Sequence, residues 1–201
     1  TGTCLILITP DAERTMVTFL GIAGKINEQD INEKAIQESE IIFLEGYLWD
    51  EGEPKLAFDK AMSLSNKKSM TLSDQFCVER HKDSFLDLVK NKLDVTFANE
   101  QEIKSLINTN NFDEIVTFGK QLGSLLIITR GEKGSIAIKN NDVTECTARH
   151  DLRIVDLTGA GDLFAAGFLH GFINGFSTKE SLKKGTEMSS IIIQKVGASL
   201  N

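Results

Sequence analysis

The stretch Ile154–Phe168, IVDLTGAGDLFAAGF, sets Gly-Ala-Gly-Asp at the start of a run that stays apolar to Ile173. Leu163, Phe164, Ala165, Ala166, Phe168, Leu169, Phe172 and Ile173 leave almost no polar side. A helix apolar all round belongs in an interior, so the pattern predicts a core helix over 163–173 with its N-terminus deep in the protein. The first N–H groups of a helix have no intrahelical partner, and an interior must supply one. Gly159, Ala160 and Gly161 place almost no side-chain bulk over those donors. An anionic oxygen can therefore reach them, favoured by the helix dipole. Asp162 is then out of place, because a carboxylate repels an anion. It fits if its work is to take the proton from a hydroxyl attacking phosphorus, while the N–H groups stabilise the phosphoryl group in transfer. A second reading stays open: Asp162 is an ordinary acidic residue of a first helical turn. The segment lacks the G-x-x-x-x-G-K-[ST] spacing of a Walker A loop. Gly167 and Gly171, one turn apart, predict close approach of another backbone.

Upstream, LLIITRGEKGS (Leu125–Ser135) reads as a buried strand running into Thr129, Gly131 and Gly134. Glycines at the C-terminal end of such a strand suit a nucleotide-bearing loop, and equally suit a plain turn into a hairpin. FANEQE (Phe97–Glu102) puts Asn99 and Glu102 one turn apart after a strand. The pair has oxygens for a hard, hydrated cation, and it also has the spacing of a capping box; both roles can hold at once. Arg14, in PDAERTM, stands beyond the first strand and by itself reads as a solvated hairpin residue. His81, His150 and His170 share no ligand spacing and read as structural or surface positions.

Strands are predicted at 5–9, 16–20, 41–44, 69–72, 95–98, 125–129, 135–139 and 143–147. Helices are predicted at 32–39, 53–64 with Leu56 and Met62 inward, 80–91 with Phe85, Leu86, Leu88 and Val89 inward, 101–107, 112–122, 163–173 and 179–195. Strand–helix alternation over 32–130 predicts a mostly parallel sheet covered on both faces.

The 201 residues, 41% hydrophobic and 25% charged, suffice for one well-buried domain. A net charge of −7 argues against a nucleic-acid binder. Three cysteines without a C-x-x-C point away from a disulfide framework or zinc site and toward a reducing, cytoplasmic setting. No apolar run is long enough to span a membrane, and no signal peptide is evident.

DLTGAGDLFAAGF (Asp156–Phe168) resembles the second signature of the ribokinase-like (PfkB) carbohydrate kinases, D-T-x-G-A-G-D-x-F, with Leu157 in place of the usual Thr. TGTCLILITPDAERTM, FLEGYLWD and MTLSDQFCVER resemble the adenosine-kinase-like bacterial sugar kinases of that family. The resemblance implies a three-layer α/β/α fold with a mostly parallel central sheet and the remnant of a small β lid. It implies transfer of the γ-phosphoryl of ATP to a hydroxymethyl group of a nucleoside such as adenosine, or of a sugar as in ribokinases and fructokinases. Asp162 is then the general base, and the Gly159, Ala160 and Gly161 amides form the anion hole, with Arg14 turned to the transferring phosphate. Thr129, Gly131 and Gly134 line ATP, and Asn99 and Glu102 serve phosphate and Mg2+, Glu102 through water. Asp156 and Thr158 hold a monovalent cation such as K+ in many members, helped by carbonyls near Gly197 and Ala198, Gly197 counting with the cofactor-binding residues; Asp156 also reads as a cap of its own loop. Tyr47, Trp49 and Asp50 are placed at the wall of the acceptor pocket, or in the core.

The resemblance further implies that the chain is the C-terminal part of a longer kinase, residues 1–24 being lid-derived strands and 25–201 the nucleotide-binding core. Sheet edges left without their N-terminal neighbours need cover. The expectation is a homodimer contact, or partial disorder, near residues 1–30. A catalytically incomplete nucleotide-binding fragment is the alternative to an active kinase.

Overall fold

Leu125–Ile128 are apolar and buried without a break, the signature of a strand covered on both faces. The computed structural model, which describes residues 1–49 and 54–200, builds a sheet around that strand. The chain begins with a hairpin, β1 (Thr3–Ile8) and β2 (Arg14–Phe19), and a short helix α1 (Glu33–Gln37). There follow β3 (Ile42–Glu45), α2 (Pro54–Leu64), β4 (Lys68–Thr71), α3 (Gln75–Arg80), α4 (Lys82–Asn91) and β5 (Val95–Asn99). Next come α5 (Glu100–Ile107), α6 (Phe112–Gln121), β6 (Leu125–Thr129), β7 (Ser135–Lys139) and β8 (Asp142–Cys146). Two long helices, α7 (Ala160–Ile173) and α8 (Thr178–Ile192), close the fold.

Six strands form one sheet in the order β3-β4-β5-β6-β7-β8. β3 pairs with β4 and β4 with β5 in parallel, with Leu44 opposite Met70 and Met70 opposite Thr96. β7 and β8 are joined through only Asn140 and Asn141, a connection that antiparallel strands alone allow. Sheet order follows chain order because each crossover helix returns the chain beside the strand it left. β1 and β2 form a separate two-stranded sheet with Leu5 opposite Val17; both faces are largely exposed, Val17 to 62% and Phe19 to 67%.

The chain divides into two compact units, one made of Leu20–Ile128 and Ile138–Val143 with Thr1, the other of Gly2–Phe19, Thr129–Ala137 and Thr144–Asn201. In the first, Met70, Phe85, Ile103, Leu106 and Ile115 are fully buried. In the second, α7 lies against α8 so closely that a Cβ on Gly167 would stand 2.6 Å from the Lys184 carbonyl oxygen, and one on Gly185 2.8 Å from that of Phe164. The backbone approach predicted at Gly167 and Gly171 is present. Among the described residues no helix is long and apolar enough to cross a membrane.

Several expectations are corrected. α7 starts at Ala160 rather than Leu163, and it is not buried all round: Phe164, Ala165 and Phe168 are inside, while Gly161, Asp162, Ala166 and Ile173 are exposed. Its N-terminus therefore opens to the surface. Leu56 is 46% exposed, and α2 buries Pro54, Ala57, Phe58, Ala61 and Met62 instead. The helix expected over 80–91 begins at Lys82, α3 (Gln75–Arg80) precedes it without having been expected, and Leu86 is only half-buried. The expected start of α2 at Glu53 lies outside the described residues, as does Asp50.

Candidate active site

The first turn of α7 is built by glycine. Gly159, the N-cap, sits at φ +79°, a left-handed conformation costly for other residues, and offers no side chain to the turn above it. The Ala160 N–H donates to the Leu157 carbonyl at 3.2 Å, and the Leu163 N–H is the first to bond back to Gly159, at 2.9 Å. The intervening N–H groups of Gly161 and Asp162 precede the first intrahelical bond. Gly161 has a helical backbone, and a Cβ there would meet nothing within 4 Å. Neither strain nor packing calls for glycine at that position, so the clear space is what glycine supplies. Asp162, third residue of the helix, is exposed beside it. The amide of Asp162 itself joins the free donors, which sequence reading missed; the N-terminal shift of the helix start brings it there.

Asp156 is 1% exposed. Its Oδ1 accepts from the Thr158 N–H at 2.8 Å and the Thr158 hydroxyl at 2.6 Å, and its Oδ2 accepts from the Gly197 N–H at 2.8 Å. Burial pushes its carboxyl upward, but the Thr158 hydroxyl, the Gly197 and Thr158 amides and the Arg14 charge together hold it below the usual carboxylate value. Arg14, exposed at the start of β2, thus lies within electrostatic reach of the loop leading to α7.

Thr129 ends β6 half-buried. A tight turn follows, closed by the Arg130 N–H on the Gly134 carbonyl at 2.8 Å. Gly131 adopts φ +57° with open space where a Cβ would be. Gly134 is different: at φ +87°, its Cβ would stand 2.1 Å from the Cys146 carbonyl oxygen. The fold itself demands that glycine.

Asn99 and Glu102 form the capping box of α5. The Asn99 side-chain oxygen accepts from the Gln101 and Glu102 N–H groups, and Glu102 accepts from the Asn99 N–H at 2.8 Å and its side-chain amide at 2.6 Å. Glu102 is 4% exposed. Burial raises its carboxyl to about 7; the Asn99 N–H and amide oppose the rise, and the charge of Asp74 adds to it. Asp74, the N-cap of α3 accepting from the Cys77 N–H at 2.6 Å, is a neighbour the sequence reading did not single out; an Asp three residues before Cys77 was its available signal. Among the described residues no three His, Cys, Asp or Glu are grouped to hold a metal. A buried carboxylate beside an amide still suits an ion that keeps its waters and takes other oxygens from phosphate.

Tyr47 and Trp49 follow β3 in a short turn. Trp49 packs edge-on against Phe58 and Phe85 and near His81, with Lys55 over its ring; Tyr47 is more exposed and donates to the Ser73 carbonyl.

The sequence pattern of the pfkB family carbohydrate kinases matches residues 1–201. The structure superposes with a TM-score of 0.96 on the adenosine kinase of Sinorhizobium meliloti, at 35% identity over all of this chain and 63% of that one. It superposes with a TM-score of 0.95 on a probable sugar kinase of Rhizobium etli, at 35% identity over 98% of this chain and 62% of the other. A 5-dehydro-2-deoxygluconokinase of Listeria innocua is 23% identical over 87% of this chain and 57% of its own length. The chain thus spans about six-tenths of the length of these relatives.

Proposed function

The chain belongs to the pfkB family of carbohydrate kinases, and from that membership we propose that it moves the γ-phosphoryl group of ATP to a hydroxymethyl group of a nucleoside such as adenosine, or of a sugar. The observation that carries this reading is the start of α7, where uncommitted N–H groups, clear space over Gly161 and an exposed carboxylate stand within one turn. The Gly161 and Asp162 N–H groups receive the charge on the transferring phosphoryl oxygens, the Ala160 N–H being held by the Leu157 carbonyl, and Asp162 accepts the proton of the acceptor hydroxyl as its oxygen attacks phosphorus. Arg14 adds a guanidinium for phosphate. Thr129 and Gly131 line the nucleotide, and Gly134 shapes their turn. Asn99 and Glu102 are the residues to hold Mg2+ through water; the ion, when bound, neutralises phosphate charge.

Adenosine and a sugar are supported alike as acceptors, by 35% identity both to an adenosine kinase and to a probable sugar kinase. The alternative to turnover is nucleotide binding alone. Coupled assay of ATP consumption with adenosine, ribose and fructose separates the two. Acceptor-dependent turnover that falls about 10²- to 10⁴-fold in Asp162→Asn, with Mg·ATP binding retained, supports the kinase. Binding without turnover for every acceptor supports the alternative, and turnover indifferent to EDTA removes Mg2+ from the scheme.

A further inference from the structure

The loop before α7 and the end of the chain are laced together. The Ile193 carbonyl accepts from the Val155 N–H at 2.8 Å and the Asp156 N–H at 3.3 Å, and in return the Gly197 N–H donates to Asp156. Ala198 then lies directly on the N-cap: a Cβ on Gly159 would stand 3.0 Å from the Ala198 Cβ. Gly197 itself is at φ +89°, which turns its N–H inward to the buried carboxylate.

We propose that Asp156 is a positioning residue that straps the 197–198 turn onto Gly159, and that this strap, rather than a bound monovalent cation, holds the first-turn N–H groups of α7 in place. Two observations carry the choice. Both oxygens of Asp156 already receive hydrogen-bond donors, two on one and one on the other. The chain end turns an N–H, not a carbonyl, to that carboxylate, and the Ile193 carbonyl is taken by two N–H groups. Three of the roughly four lone-pair sites of the carboxylate are thus taken, so a cation bound directly would compete for the one left on Oδ2.

The inference rests on the reading of α7 as a phosphate cradle, and the test separates the two. Asp156→Asn keeps the shape and one accepting oxygen, but it sets an amide N–H against a backbone N–H and opens the strap. Hydrogen exchange at residues 196–200 is expected to quicken about tenfold, and the dissociation constant for Mg·ATP to rise by about the same factor, the scale of one charge-assisted hydrogen bond. Thr158→Val, a milder variant should the first not fold, moves both readouts the same way by a smaller factor, and Thr158→Ser, which keeps the hydroxyl, restores them. Exchange at 196–200 unchanged in the variants that fold overturns the strap. So does Mg·ATP binding that tightens when K+ replaces Na+ or choline at fixed ionic strength and loses that response in Asp156→Asn, because Asp156 is then a cation ligand. If the parent chain binds no Mg·ATP, the cradle reading fails, and the exchange measurement still decides whether the strap exists.

Discussion

At the scale of single residues, four glycines of the candidate site differ in what requires them. Gly161 has neither positive φ nor a close neighbour. Gly161→Ala is therefore expected to leave stability unchanged or raise it by at most about 1 kcal/mol, while nucleotide affinity falls; urea melts and calorimetric titration check the two halves. Gly134→Ala drives a Cβ into the Cys146 carbonyl at positive φ, and a loss of about 3 kcal/mol or more is expected in urea melts. Gly159 and Gly131 are glycine for their backbone angles. Glu102 supplies a pH test. Its folded carboxyl is raised from 4.5 to about 7, so folding favours the protonated form. Stability from this group is full below about pH 4.5 and is lost as pH rises through 7, the loss reaching about 3 kcal/mol by pH 8. Glu102→Gln does not titrate, so its stability relative to the parent should rise between pH 5 and pH 8. Equal shifts at both values would contradict the burial argument.

At the scale of elements, α7 and α8 show what an apolar pattern can and cannot say. Gly167, Gly171 and Gly185 were legible as close-approach positions at the level of spacing for the first two; Gly185 on α8 became legible only with its neighbour in place. Gly167→Ala places a Cβ 2.6 Å from a backbone carbonyl and should cost about 2–4 kcal/mol, read as a lowered urea midpoint with helical signal retained at low denaturant. The apolar run of α7 misled in one respect. Apolar residues are common on surfaces, so Ala166 and Ile173 remain exposed despite their chemistry. The break between α3 and α4 carries no Gly or Pro. His81 makes it at φ −117°, ψ 25°, a bend that no helix-breaking residue announces in the sequence.

At the scale of the whole molecule, protection should be uneven. A two-stranded ribbon is marginal by itself, and β1–β2 keeps most of its side chains in solvent. Amides of residues 3–19 are expected to exchange well before those of β4–β6, whose residues are mostly buried; equal protection would mean that the ribbon is held by something its exposure does not reveal. The sequence alone determined what is local: the small residues and the acid at the start of α7, the Asn99–Glu102 box and the apolar strand 125–129. Each is written by residues within a turn or a tight bend of one another, where backbone geometry leaves few arrangements. Tertiary structure decided which distant groups meet. Asp156 finds its third donor 41 positions away at Gly197, Gly134 must be glycine because Cys146 lies against it, and Asp74 acts on a glutamate of another helix. Spacing along a chain carries no information on such partners, because they are chosen by how the whole chain excludes water and fills space.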